Sequence, residues 1–218
     1  MKTFRIFLSV WALAFIFNYS NLVAGVDPGK NPAKGSSLAV DPAKSTLTWN
    51  AKKVGGEHTG NVKLAKGTLD VKSNKLTGGT FTMDMPSITV TDVTNEGMNG
   101  KLTGHLKSED FFSVEKNPTS TFTITKAEPI AKAKAGEANY KITGNLTIKG
   151  ITNTLTFPAT VNLTGNSAQA TAKIEIDRTK YDIKYRAAII GTAADKIIDD
   201  VFTLDVKLVA GKSETASR

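Results

Sequence analysis

The chain has 218 residues, of which 40% are hydrophobic and 22% charged, a composition typical of one globular domain and unlike that of disordered or fibrous proteins. It has no cysteine, which excludes disulfide staples, thiolate metal sites and cysteine nucleophiles. The formal net charge of +8 comes mostly from lysines scattered along the chain. Nucleic-acid binders cluster their basic residues and favour arginine, so we expect a solvated basic surface and no specific nucleic-acid binding.

The first 25 residues have the three parts of a secretory signal peptide. Lys2 and Arg5 give a positive start, residues 6–17 form an almost continuous apolar run, and small residues follow up to Gly25. The run is short for a membrane span. We therefore expect cleavage near Gly25, a periplasmic or secreted protein, and no stable membrane insertion. An uncleaved N-terminal anchor is the alternative.

Alternating hydrophobicity dominates the rest of the chain. Residues 26–40 are rich in Pro, Gly, Lys and Ser and predict a flexible lead, before a β-barrel domain of residues 41–210 and a tail at 211–218. Within the domain, apolar and polar residues alternate, as they do in residues 140–148 and 168–176. This period of two predicts antiparallel strands with one dry face and one wet face.

Two features modify the strand pattern. The alternation slips at residues 66–67 and 78–79, where glycines predict the bulges that bend strands into a barrel. Residues 95–106 place apolar side chains at helical spacing, despite three glycines, and predict a short helical excursion over one barrel end. The sequence therefore predicts an all-β antiparallel barrel of about eight strands with one short helical excursion.

The sequence contains no recognisable catalytic or metal-binding motif. His58 and His105 are far apart in the chain, whereas zinc sites usually have closely spaced His or Cys ligands. The acidic pairs at 109–110 and 199–200 are explained by a helix cap and by a turn. We expect no catalytic residue, no metal and no cofactor.

Several blocks, in a fixed order, resemble one known family. The most specific are residues 106–112 (LKSEDFF) and 144–152 (GNLTIKGIT), followed by residues 176–183 (IDRTKYDI). Together they resemble the YceI-like family of exported bacterial proteins, over about residues 41–209. The order of the blocks carries more weight than any single block.

The resemblance implies a lipocalin-like antiparallel barrel that binds a polyisoprenoid or similar long-chain lipid, with no catalytic residue to carry over. Burial of each methylene contributes about 0.8 kcal/mol, so such a ligand can be held without a polar motif. Strand parity gives the residues that we expect to line the interior and contact the ligand: Trp49, Phe81, Met83, Met85, Phe122, Tyr140, Ile142, Phe157, Val161, Ile174, Phe202 and Leu204.

Two other functions stay open at this point. An envelope enzyme acting on a lipid head group would use Asp84, Glu109 or His105. A structural or stress-response barrel would instead fill its interior with side chains, and alternation alone does not distinguish a filled barrel from a hollow one. The sequence is compatible with a homodimer, and it does not specify the ligand's head group or a delivery partner.

Overall fold

The computed structural model describes residues 35–212. Within this range the chain forms nine β-strands and one α-helix, α1 (Glu96–Lys107), between β4 and β5. Three short 3-10 turns (Arg178–Tyr181, Ala188–Ile190 and Ala194–Lys196) lie between the last two strands. The strands are β1 (Ser36–Val40), β2 (Thr46–Lys53), β3 (Gly56–Lys72), β4 (Lys75–Val90), β5 (Thr119–Pro129), β6 (Tyr140–Ile148), β7 (Ile151–Thr164), β8 (Ser167–Asp177) and β9 (Ile198–Gly211).

The strands form a single antiparallel sheet that closes on itself. Its order is β3, β2, β9, β8, β7, β6, β5 and β4, and β4 pairs in turn with β3. β1 and β2 share one position between β3 and β9, because β1 pairs with residues 68–71 and 210–211, and β2 with residues 56–62 and 198–207. The barrel therefore has eight strand positions, and the predicted all-β barrel with a short helix is confirmed.

β1 lies inside the segment predicted as a flexible lead. Its Leu38 and Val40 are buried, at 2% and 5% exposed. Two large apolar side chains in a five-residue strand give too short an alternation to stand out beside a Pro- and Gly-rich stretch. The barrel therefore begins before Asp41. The predicted signal peptide (1–25), the lead as far as residue 34 and the tail from residue 213 lie outside the described residues.

Bulges bend the two longest strands. One extra residue, Ala65, interrupts the pairing of β3 with β4, and Thr77 is the extra residue on β4. These positions adjoin the slips predicted at residues 66–67 and 78–79. A larger irregularity surrounds Pro86, which has no N–H to donate to the neighbouring strand.

The helix α1 depends on its cap and on the end of β4. The Asn95 side chain accepts a hydrogen bond from the backbone N–H of Met98 at 3.0 Å, which satisfies a free donor of the first turn. The Asn99 amide donates to the carbonyls of Val90 and Val93 at 3.0 and 2.9 Å. No residue of α1 is fully buried, so these polar contacts compensate for its three glycines.

Candidate ligand-binding lumen

The inward faces of the strands enclose an apolar lumen with two adjoining compartments. The far compartment, of about 90 Å³, is lined only by strand residues. The helix-side compartment, of about 100 Å³, is lined also by Leu106 of α1. Met83, Leu146, Ile176 and Leu204 line both compartments, and we call these four residues the waist.

The side chains that line the lumen do not fill it completely. Phe122, Ile174 and Leu204 line the compartments, yet each is only half-buried. On the neighbouring strand β6, Ile142 and Leu146 are buried, at 3% and 5% exposed. A close-packed core would bury all five alike. Open apolar space therefore lies against β5, β8 and β9.

Three phenylalanines line the far compartment. Phe81 stacks with Phe122 at 6.3 Å between ring centroids, and Phe122 tilts against Phe157 at 5.6 Å. Gly144 makes room for these rings, because a Cβ at this position would lie 2.4 Å from Cζ of Phe122. The surface that faces this compartment is entirely apolar.

The helix-side compartment is closed by segments that lie between the strands. Phe111 and Phe112, which follow α1, line it together with Ile183 of the β8–β9 connection. Strand residues on its other sides are Trp49, Ala51, Val62, Met85, Ile88, Ser120, Ile148, Ile198, Asp199, Phe202 and the waist. This end of the barrel therefore depends on how the connections are held in place.

One buried arginine holds the β8–β9 connection. Arg178 is 4% exposed, and its Nε donates to the carbonyl of Asp199 at 3.0 Å. Nη1 donates to the carbonyls of Ile183 and Tyr185 at 2.8 and 3.0 Å, and Nη2 to that of Ile198 at 2.9 Å. The fifth N–H is directed at the carboxylate of Asp200, 3.5 Å from Nη2. All five guanidinium donors are thus used within the protein.

Charge around Arg178 is balanced by acidic residues. Burial lowers the pKa of Arg178, and the carboxylates of Asp200, Asp177 and Asp199 act in the opposite direction. An arginine remains protonated in proteins despite such shifts. Its positive charge is therefore already countered within the protein, at the edge of the helix-side compartment.

An aromatic cluster joins α1 to the same connection. The His105 ring lies edge-on to Phe111 and to Tyr185, with centroids 4.9 and 4.6 Å apart. His105 Nε2 is 2.9 Å from Asp110, and the Arg186 guanidinium lies 5.3 Å from the Tyr185 ring centre. These contacts fasten together the segments that cover the helix-side compartment.

Eleven of the twelve residues predicted from strand parity line the lumen. The far compartment contains Phe81, Phe122, Ile142, Phe157, Val161 and Ile174; the helix-side compartment contains Trp49, Met85 and Phe202; Met83 and Leu204 belong to the waist. Tyr140 is buried but lines neither compartment. Its hydroxyl oxygen accepts a hydrogen bond from the backbone N–H of Leu76 at 3.3 Å, so its tip is engaged with the barrel wall. Contact of these residues with a ligand stays a prediction.

Strand parity missed the residues that come from connections. Leu106, Phe111, Phe112, Arg178 and Ile183 line the helix-side compartment. The two adjacent phenylalanines after the helix were a usable signal, because such residues seldom stay in water. Arg178 was a weaker signal, because it is one of four arginines in a chain rich in lysine.

Two of the three residues named for an enzymatic alternative have side-chain partners. His105 pairs with Asp110 and Glu109 pairs with Lys116, whereas Asp84 contributes its backbone carbonyl, which accepts from Ser87 Oγ at 2.5 Å. The Lys116 ammonium lowers the pKa of the exposed Glu109 carboxyl. His58 pairs with Asp92 at 2.8 Å on the barrel surface. Within residues 35–212, no three His, Asp or Glu side chains are grouped to hold a metal ion.

Comparisons with known proteins point to one family. A family model described as "YceI-like domain" matches residues 38–210. A UPF0312 protein of Pseudomonas paraeruginosa is 34% identical over 102 residues, 47% of this chain and 44% of the relative. A UPF0312 protein of Pseudomonas aeruginosa is 46% identical over 55 residues, 25% of this chain and 26% of the relative. These matches span less than half the length of the curated relatives.

Two solved structures share the barrel. Burkholderia cenocepacia BcnA has a TM-score of 0.61 at 24% identity, covering 78% of this chain and 99% of BcnA. A polyisoprenoid binding domain from Saccharophagus degradans, implicated in plant cell wall breakdown, has a TM-score of 0.56 at 14% identity, covering 82% and 99%. At these identities the likeness shows the fold. In the part of the chain that the structure describes, no helix is long and apolar enough to cross a membrane.

Proposed function

The chain belongs to the YceI-like family, and from this premise we propose that it binds a long apolar amphiphile, such as a polyisoprenoid, inside its barrel. The observation that carries the proposal is the apolar lumen, whose two compartments share the four waist residues. The Saccharophagus degradans domain with the same fold is described as polyisoprenoid binding, which supports this ligand class.

The volume of each compartment suits a small apolar group. At about 90 and 100 Å³, each is smaller than the ~150 Å³ engineered cavity that binds one small apolar molecule. A longer chain would occupy both compartments by passing the waist, where Met83 has an unbranched and flexible side chain. Each methylene of the ligand that is buried would then contribute about 0.8 kcal/mol to the binding free energy, and no polar motif would be required.

We also propose that binding takes place outside the cytoplasm, in the periplasm or beyond it. The motivation is the predicted signal peptide at residues 1–25, which lies outside the described residues. The intact mass of the protein from periplasmic or secreted fractions should correspond to a chain that starts near Val26. A full-length mass confined to the cytoplasm would contradict export.

Native mass spectrometry of protein purified from its own host tests the carrier function. We expect a non-covalent mass excess that organic solvent removes and that an added isoprenoid restores. A ligand-free parent that also takes up no isoprenoid would support the filled, structural barrel instead. Chemical conversion of an added lipid would support the enzyme. The family and the solved neighbours favour a binding protein over an enzyme.

A further inference from the structure

An exposed apolar loop lies in the β8–β9 connection. Residues 187–194 read AAIIGTAA and include no charged residue, and we call them the apolar loop. Ile190 is 56% exposed, and the alanines at 188, 193 and 194 are exposed too. Thr192 has the loop's only polar side chain, and its hydroxyl donates to the carbonyl of Ala187 at 2.7 Å. The loop therefore presents a largely apolar surface to solvent.

The base of the apolar loop is held by the barrel. The backbone N–H of Ile198 donates to the carbonyl of Arg186 at 3.0 Å, which brings the two ends of the loop together as in an Ω-loop. Ala187, at the start of the loop, is 0% exposed. Arg178 donates to the carbonyls of Tyr185 and Ile198, on either side of the loop. The base is thus fixed, while the tip around Ile190 faces water.

Other large apolar side chains are exposed at the same end of the barrel. They are Val54 in the β2–β3 turn, Met98 on α1, Ile151 at the start of β7 and Val201 near the start of β9. The backbone N–H of Val54 donates to the carbonyl of Ile197 at 3.0 Å, so the β2–β3 turn lies beside the base of the apolar loop. Single exposed apolar side chains are ordinary, but a concentration of them at one end of a protein indicates an interaction site.

Basic side chains border the apolar loop. Arg186 precedes it, Lys196 follows it, and Lys53 lies beside its base, across from the start of β9. None of the three has an ion-pair partner in the part of the chain that the structure describes. Asp195 and Asp199 offset part of this positive charge. An apolar tip with a basic border matches a bilayer surface, where anionic headgroups cover an apolar interior.

We propose that the apolar loop docks the helix-side end of the barrel on a lipid bilayer that contains anionic lipid. Ile190 enters the headgroup region in a shallow contact, and Arg186 and Lys196 face the anionic headgroups. This inference rests on the proposed carrier function and adds the place where the ligand is exchanged. The loop belongs to the connection that closes the helix-side compartment with Ile183 and Arg178. Docking therefore places this closure against the bilayer, so that an apolar ligand need not pass through water.

Vesicle flotation tests the docking, with the protein as its host processes it and with one N-terminus, established by intact mass, for wild type and variants. The vesicles are phosphatidylcholine mixed with phosphatidylglycerol, or phosphatidylcholine alone. On mixed vesicles, Ile190→Asp should weaken binding about 10-fold, because an apolar contact is lost and a like charge is added. Lys196→Gln should weaken it about 5-fold on mixed vesicles and leave it unchanged on phosphatidylcholine alone.

The opposite end of the barrel offers matched controls. Ile130, after β5, is 41% exposed, and Lys134 is exposed in the same loop. Ile130→Asp and Lys134→Gln should float with mixed vesicles as wild type does. Uptake of a fluorescent isoprenoid from cyclodextrin, without vesicles, reports the carrier function separately. I190D should match wild type in that assay and take up the same isoprenoid more slowly from mixed vesicles.

Four results would overturn the inference. Wild type fails to float with mixed vesicles; I190D floats as wild type does; I130D loses as much binding as I190D; or light scattering without vesicles shows that I190D separates a dimer, in which case the loop joins two copies of the chain. In each case the carrier function stands if uptake from cyclodextrin is intact. Absence of that uptake in wild type would overturn the carrier function, and with it the exchange of ligand at the loop.

Discussion

Replacing Arg178 with methionine measures how strongly one side chain holds the helix-side end of the barrel. Methionine keeps part of the apolar stem and removes the donors for the carbonyls of Ile183, Tyr185, Ile198 and Asp199. Ile183 is 1% exposed, so its unpaired carbonyl stays dry at a cost of about 1–3 kcal/mol. The other three residues are half-buried or exposed, so water replaces part of what they lose.

Relief of guanidinium burial offsets some of this cost, and we expect the free energy of unfolding to fall by about 3 kcal/mol. Urea denaturation measures the change, and Arg178→Lys should give an intermediate loss because an ammonium has fewer donors. Lys180→Met, an exposed neighbour in the same turn, is the control and should cost under about 0.5 kcal/mol. Amide exchange should accelerate first in residues 183–198. A loss below about 1 kcal/mol for R178M, or acceleration spread evenly over the barrel, would refute the assigned role.

Three more predictions follow from the lumen and the core. Met83→Lys puts an unpaired ammonium at the waist and should abolish uptake of a fluorescent isoprenoid while most of the thermal transition is kept; unfolding of the variant would indicate a filled core. Gly144→Ala should lower the free energy of unfolding by about 1–3 kcal/mol in a denaturant titration, because the added Cβ would collide with Phe122. Gly100→Ala is the control: its Cβ would have nothing within 4 Å, so the change should stabilise α1 by up to about 1 kcal/mol. Burial raises the pKa of Tyr181 to about 12 from an ordinary 10.0. Because the unfolded chain loses this proton first, stability should be intact below pH 10 and fall between about pH 10 and 12, and Tyr181→Phe should remove that slope.

Much of the barrel could be predicted from sequence because its signal is local. Alternation along a strand needs only neighbouring residues, so the inward set from Trp49 to Leu204 could be chosen without knowing which strands pair. Tyr140 shows the limit of this reasoning. Parity places it inside, but its hydroxyl needs a partner and finds the N–H of Leu76 on another strand. Parity does not encode that contact.

The residues that close the barrel end could not be predicted in the same way. Arg178 donates to the carbonyl of Ile183 in the irregular β8–β9 connection and to that of Asp199 at the start of β9, and no local period marks either contact. β1 shares one strand position with β2, and this depends on partners near residues 70 and 210. These features depend on contacts between residues distant in sequence, and local patterns carry no information about them.

The pairing of β2 with β9 affects how the chain folds. Leu47, near the start of the described chain, pairs with Val206, near its end. A chain that emerges from its N-terminus has no lumen until the last strand arrives, and a chain truncated before Phe202 would present two unpaired strand edges to its neighbours. Pairings this distant in sequence fold slowly, in roughly milliseconds to seconds. The interval before closure is therefore when the nascent protein is most exposed to aggregation, and also when its interior is most accessible to a ligand.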